Sequence, residues 1–409
     1  MRLHLAIGIN NTTTYSKLID TIIDRFSLNK KQLFIYDKKR LDRFIDEEAI
    51  HDDKTFINRY GQSLQSMSSG QQKIYFVKHL LDQNPHTIIL DNPLSHLDPN
   101  HQNELIQLLE EREQDCDLIF ILNRSDWIPF YCTSYYNAFD LNFEEVASKE
   151  AFKKLFTYKK STLNLSAILP SNQSKYNDDR LIELKNVNVS YGEKKILNSI
   201  NWTIKSGEFW ELRGANGTGK STILTMISGE NPKAYGQDIY LFGYKKGSGE
   251  TVWDIKKHIG YFTPSMTAFF KGYHSVKEMI IGGLKDSVGL YIKTSKLEEQ
   301  QACYWIDIIG MHDKIDTNFV DLSLGEQCLV MTARAMIKNP KLLILDEPTA
   351  GLDQKSNELF IQLVNTIAKE HQTAIIYVSH KREPSLAVQA LFELIPGKNG
   401  SSYTSTKYT

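Results

Sequence analysis

Short apolar runs bounded by polar residues recur along the 409-residue chain. In the first 160 residues Met1–Ile7, Thr87-Ile-Ile-Leu90 ending in Asp91, and Leu118-Ile-Phe-Ile-Leu122 are of this kind. Such brief continuous runs are the mark of strands buried on both faces. Between them the pattern predicts helices from Ser68 to about Leu81 and over Asn103–Arg112. Residues 17–50 mix helical periodicity with charge, and the pattern does not divide them. Buried strands alternating with helices predict a doubly wound α/β core. Residues 160–179 are polar, with Ser, Asn and one Pro, and read as a linker between a first domain over 1–159 and a second over 180–409. The second half opens with Leu181-Ile-Glu-Leu184; Glu208–Arg213 predicts a short strand and Thr222–Ser228 the start of a helix. Ser401–Thr409 is expected to be a partly disordered tail.

The strand and helix of the second half enclose the most informative stretch, Gly214-Ala215-Asn216-Gly217-Thr218-Gly219-Lys220-Ser221-Thr222. It fits the phosphate-loop pattern G-x-x-x-x-G-K-[ST] in the strand–loop–helix setting that the pattern requires. Glycines let the backbone curl so that successive N–H groups turn toward phosphate oxygens. The helix behind adds its positive dipole end. Lys220 can then reach the β- and γ-phosphates, and the Ser221 hydroxyl can ligate Mg²⁺. The reading is a nucleotide site for ATP with Mg²⁺.

Composition changes this picture little. With 48 Lys and Arg against 49 Asp and Glu, the formal net charge is −1, which gives no global attraction to nucleic acid or anionic membrane. The four cysteines, Cys116, Cys132, Cys303 and Cys328, form no C-x-x-C pair and no zinc spacing, and read as reduced thiols of a cytosolic protein. No signal peptide is expected at the N-terminus. No apolar run approaches the ~18 residues needed to span a bilayer, so a membrane role is expected to come through a partner.

The chain repeats itself. Leu322-Ser-Leu-Gly-Glu-Gln327 answers to Met67-Ser-Ser-Gly-Gln-Gln72, and Leu342–Asp353 (LLILDEPTAGLD) to Thr87–Asp98 (TIILDNPLSHLD). Ser323 follows Ser68, Asp346 follows Asp91 and Asp353 follows Asp98 by the same 255 residues. Two motifs at one shared offset mark an internal duplication. The phosphate loop, the Leu-Ser-Leu-Gly-Glu and Ser-Ser-Gly-Gln-Gln signatures, and Asp-Glu-Pro with its following Leu-Asp resemble the nucleotide-binding domains of ABC ATPases. The resemblance covers almost the whole chain. It implies two such domains in tandem, pairing head to tail as a pseudo-dimer in a monomeric chain. A narrower likeness, in Leu241–Tyr261 with the tandem layout, is to the molybdenum-transport ATP-binding branch of that family.

The first half departs from the family pattern. With Gly8 matched to Gly214, its signature comes 49 residues early, so part of the ATP-side sheet, the glutamine loop and the helical subdomain are expected to be missing. Thr13, Thr14 and Tyr15 stand where Gly219, Lys220 and Ser221 stand, and Asn92 replaces Glu347. No G-K-[ST] occurs before residue 219. The resemblance therefore implies one competent site. Tyr191 stacks on adenine, Asp346 holds Mg²⁺ with Ser221, and Glu347 polarises the attacking water. His380 contacts the γ-phosphate, which Ser68, Gly70 and Gln71 of the first half cap from across the pair. The other site sets Ser323 and Gly325 against Gly8–Ser16 and is expected to bind nucleotide weakly or not at all.

Two functions compete. One is the ATPase component of a transport system, cytoplasmic or at the inner face of the membrane, driving a separate permease and related to molybdate. The other is a soluble ATP switch in DNA repair, translation or regulation. Family members carry a glutamine where this chain has Pro264, and no Gln lies between Gln237 and Gln300. That glutamine links ATP state to the membrane partner in transporters, so its absence weighs against transport.

Overall fold

The computed structural model describes residues 2–10, 15–51, 55–95, 97–139, 143–156, 179–270, 272–287, 293–370, 372–380 and 383–408. The expected linker lies outside these up to residue 178, as do Thr13 and Thr14 of the first loop. The chain divides into two compact units, Met1–Lys160 with Gly351–Lys355, and Ser161–Ala350 with Ser356–Thr409.

The first unit runs β1 (His4–Gly8), α1 (Tyr15–Arg25), β2 (Leu33–Tyr36), α2 (Lys38–His51), α3 (Thr55–Tyr60) and α4 (Ser69–Leu81). It continues with β3 (Thr87–Asp91), α5 (Pro99–Glu111), β4 (Asp117–Leu122), β5 (Ser134–Asn137), β6 (Glu144–Val146) and α6 (Lys149–Leu155). Its sheet has the order β2-β3-β4-β1-β5-β6, parallel except for β5 with β6. Alternate residues of the central strands point to opposite faces. Thus Leu5, Ile7, Ile89, Ile119 and Ile121 pack with Leu18, Ile19 and Ile22 of α1. Their neighbours Ala6, Ile88, Leu90, Leu118 and Phe120 pack with α4 and α5 through residues such as Phe76, Leu105 and Leu109. This two-sided burial is why the runs read as continuous rather than alternating.

The second unit has β7 (Arg180–Tyr191), β8 (Lys194–Lys205), β9 (Phe209–Gly214), α7 (Lys220–Ile227), β10 (Asp238–Leu241), β11 (Tyr244–Lys245) and α8 (Val252–Lys256). Then follow β12 (Ile259–Phe262), α9 (Val276–Ile281), α10 (Lys296–Ile308), α11 (Leu324–Met336) and β13 (Leu342–Asp346). The unit ends with α12 (Gln354–Glu370), β14 (Ala374–Ser379), β15 (Ala390–Ile395) and β16 (Ser402–Lys407). Its main sheet, β12-β13-β14-β9-β15-β16, repeats the first unit's topology strand for strand. A separate antiparallel sheet, β11-β10-β7-β8, has no counterpart among the described residues of the first unit. Its Leu184, Val187, Ile200 and Trp202 share one core with Ile223 and Ile227 of α7 and with Leu212 and Ile344 of the main sheet.

Several sequence expectations need correction. The tail expected to be partly disordered carries a strand within its described residues: Ser402–Lys407 pairs antiparallel with β15, Tyr403 stacks on Phe392 at 4.9 Å, and Lys407 Nζ lies 2.6 Å from Glu208 Oε1. The second helix of the first half begins at Pro99, not Asn103, because the Asp98 carboxylate caps the Asn100 and His101 amides and proline suits the first turn. The helix after the phosphate loop begins at Lys220, two residues before the expected start. Within residues 17–50 the edge strand β2 lies between two helices; at four residues it is too short to show a period.

Candidate nucleotide-binding site

In the second unit β13, β14 and β9 are adjacent and parallel, and each ends on the same side of the sheet. Their carboxyl ends carry Asp346 with Glu347, Ser379 with His380, and Gly214 with the phosphate loop. A ligand crevice outside the carboxyl ends of parallel strands is the general arrangement of open α/β sheets. The loop turns on Gly217 at φ 78° and Gly219 at φ 100°, in the left-handed region where glycine carries no steric cost. A Cβ on Gly219 would also come within 2.6 Å of Leu197 Cδ2. Thr218 Oγ1 donates to the Ala215 carbonyl at 2.8 Å, drawing the loop closed. Lys220 is buried and donates from Nζ to the carbonyls of Gly214, at 2.7 Å, and Ala215, at 3.2 Å, so its ammonium sits in the mouth of the loop. Ser221 and Thr222 lie in the first turn of α7, at the positive end of the helix dipole.

Glu347 has φ 51°, an uncommon state for a glutamate. Its Oε1 lies 2.5 Å from His380 Nε2. Asp346 accepts from the Tyr261 hydroxyl at 3.1 Å. Burial pushes the Asp346 carboxyl above the ordinary carboxylate range, and the neighbouring Glu347 adds to this. Tyr261, Lys220 and His380 pull it back down. Those residues thus share one electrostatic site, with two carboxylates against one ammonium and one imidazole. Tyr191 ends β7 on the surface, 47% exposed, with its hydroxyl taking a 3.0 Å bond from Asn231 Nδ2 and Lys233 Nζ 5.8 Å from its ring centre. An open aromatic face fits a stacking role.

The chain matches the ABC transporter family over residues 197–350. It is 33% identical to the ABC transporter ATP-binding protein ModF of Escherichia coli, over 83% of this chain and 72% of that protein. The chain belongs to the ABC transporter ATP-binding proteins. It is 33% identical to the zinc uptake system ATP-binding protein ZurA of Listeria innocua, over 49% of this chain and 77% of that one. Among solved structures it is similar to CbiO1 of Clostridium perfringens, part of the ABC transporter complex CbiONQ. That likeness is 24% identical with TM-score 0.48 and covers 56% of this chain and 89% of that one. Nucleotide binding by an ATPase domain is the shared property of this family.

The first unit carries the same scaffold with altered chemistry. Asn92 stands at φ 42°, close to the backbone state of Glu347, and asparagine tolerates that state better than glutamate. Its amide is spent internally, donating to Asp91 Oδ1 at 2.8 Å and accepting from the Asn123 amide at 3.0 Å. Tyr15 opens α1 and donates to Asp37 Oδ2 at 3.4 Å. Lys73, at the position of Cys328, is buried and donates to the Ser95 carbonyl at 2.8 Å. Burial lowers this ammonium to about 7 and raises Asp91 to about 6.

The two signatures are built alike. Ser68 accepts from the Gln71 amide while Gln71 Oε1 accepts from the Ser68 amide; Ser323 and Glu326 do the same. Gly70 is buried, and a Cβ there would come within 2.9 Å of His101 Nδ1; one on Gly325 would overlap Ser356. Sequence reasoning missed three supports of this candidate site. They are Tyr261 on Asp346, Asn231 on Tyr191, and buried Glu211 held by Ser379 Oγ at 2.7 Å and Arg213 Nη2 at 2.6 Å. Only the alternation of Glu211 within an apolar strand hinted at the last.

Proposed function

We propose that the second unit binds ATP with Mg²⁺ and hydrolyses it at Gly214–Thr222, Asp346, Glu347 and His380. The observation that carries this is the junction of Glu347 with His380 at 2.5 Å beside Asp346, at the carboxyl ends of β13 and β14, with β14 paired to β9, the strand that leads into the loop. Lys220 neutralises the β- and γ-phosphates, and Tyr191 offers its open ring to the adenine. Glu347 accepts a proton from water as the water oxygen bonds to the γ-phosphorus and the bond to the ADP oxygen breaks. His380 holds the Glu347 carboxylate in place for that transfer.

Mg²⁺ fits the donor set. Asp346 and Ser221 supply oxygen alone, as a hard cation prefers. When bound, it neutralises developing phosphoryl charge.

The finer reading follows from sequence and family resemblance. Ser68, Gly70 and Gln71 cap the γ-phosphate held at Lys220, in a head-to-tail pseudo-dimer with one competent site. The ATPase then serves a separate membrane permease at the inner face of the membrane, with molybdate as the related cargo. Among the described residues no helix is long and apolar enough to cross a membrane. A soluble switch is the second reading, favoured by the lack of a glutamine at Pro264. Purified chain should release phosphate from ATP, and Lys220→Ala should lose nearly all ATP binding, measured by equilibrium dialysis. Near-normal affinity in that variant would place the nucleotide elsewhere. Co-purification of a permease decides for transport, and salt-sensitive nucleic-acid binding decides for the switch.

A further inference from the structure

We propose that Tyr261 is the positioning residue for the metal-holding carboxylate of Asp346, a role that rests on the Mg²⁺-nucleotide reading above. A buried aspartate has a soft terminal torsion, so its carboxylate samples many angles unless something holds it. Here the Tyr261 hydroxyl donates to Oδ2 at 3.1 Å across 85 residues of sequence. That bond would hold the carboxylate at one angle for an ion bound with the nucleotide. The tyrosine is placed by strand pairing: Tyr261 of β12 lies opposite Ile344 of β13, two residues before Asp346 and on the same face.

The first unit supplies an internal control. There the register puts Ile35 opposite Ile89, two residues before Asp91. Isoleucine carries no donor, and Asp91 instead takes its bond from Asn92 Nδ2. The half with the intact phosphate loop has the tyrosine, and the half without it does not.

The Tyr261 ring packs against the core of the second unit and is only partly buried there. It lines a cleft of about 560 Å³ together with Trp253, Met266, Phe269 and Phe270. One side chain therefore touches both an open cleft and the metal-holding carboxylate. No glutamine lies between Gln237 and Gln300, and Tyr261 is the side chain that joins this cleft to that carboxylate.

Titration calorimetry of Mg²⁺ into full-length chain saturated with ADP tests the assignment, with ADP titrated in EDTA as the fold control. Tyr261→Phe removes one oxygen and keeps the ring. It should weaken Mg²⁺ roughly 10-fold, as loss of a partner that orients a metal ligand does, while metal-free ADP affinity stays unchanged. Trp253→Ala, in the same cleft without reach to Asp346, should leave Mg²⁺ affinity within about twofold of the parent. Unchanged Mg²⁺ affinity in Tyr261→Phe overturns the assignment. So does an equal loss in Trp253→Ala, or an equal loss of metal-free ADP binding in Tyr261→Phe, since either makes the role one of packing. If the parent chain binds ADP with no Mg²⁺ dependence at all, the functional reading falls, and this assignment with it.

Discussion

Which signature serves the working phosphate loop can be tested with a matched pair of substitutions, Ser68→Ala and Ser323→Ala. Glycine substitutions in the signatures are poor probes, because a Cβ at Gly70 or Gly325 drives into His101 or Ser356. The serines are cleaner. Each is the N-cap of a 13-residue helix and each sits in a capping box, with the cap hydroxyl 3.4 Å from the third amide. Loss of either hydroxyl should cost about 1 kcal/mol of stability by the same mechanism. Function should separate them. A hydroxyl bonded to a charged phosphate is worth about 1.5–3 kcal/mol, so removing the one that caps the γ-phosphate should lower kcat/KM roughly 10- to 100-fold. The pseudo-dimer proposal assigns that loss to Ser68→Ala and leaves Ser323→Ala near the parent rate. Urea unfolding measures the stability change, and steady-state ATP hydrolysis over a range of chain concentrations measures the rate. A dead Ser323→Ala beside an active Ser68→Ala, with a rate per chain that rises with concentration, would refute the reasoning. Two chains would then pair through their second units.

Glu347→Gln should keep ATP bound and slow turnover by about 10²- to 10⁴-fold, because the proton acceptor is lost while phosphate contacts remain; Asn92→Ala should change the single-turnover rate little. Gly219→Ala combines a left-handed backbone with a clash at Leu197 and should destabilise by about 2–4 kcal/mol; Gly217→Ala, at φ 78° in open space, should cost only about 1 kcal/mol in urea melts. Lys73 titrates near 7 when folded against 10.5 for an ordinary lysine, so the unfolded chain binds that proton more tightly across this window. Stability should therefore rise from pH 7 to pH 9, and Lys73→Met should flatten the rise; a parent whose urea midpoint does not change over that range would contradict the burial argument.

The parts legible in the chain alone are those whose meaning is local. A phosphate loop needs glycines, a lysine and a hydroxyl within nine consecutive residues, and Gly214–Thr222 supplies them. Duplication shows as a constant offset, and the damage to the first loop shows as a missing lysine. The buried central strands are legible because burial on both faces leaves a continuous apolar run. What the fold alone decides is which distant groups meet. Glu347 and His380 are 33 residues apart, Tyr261 and Asp346 are 85 apart, and Glu211 and Ser379 are 168 apart. None of these pairs leaves a local pattern, because the order of β12, β13, β14 and β9 in the sheet brings them together. The same reason governs β16. Its polar sequence, Ser402–Lys407, has little to bury by itself, and it becomes a strand because β15 offers an edge, Phe392 offers a ring to Tyr403, and Glu208 offers a charge to Lys407. A segment stabilised by its partners cannot be read from its own residues.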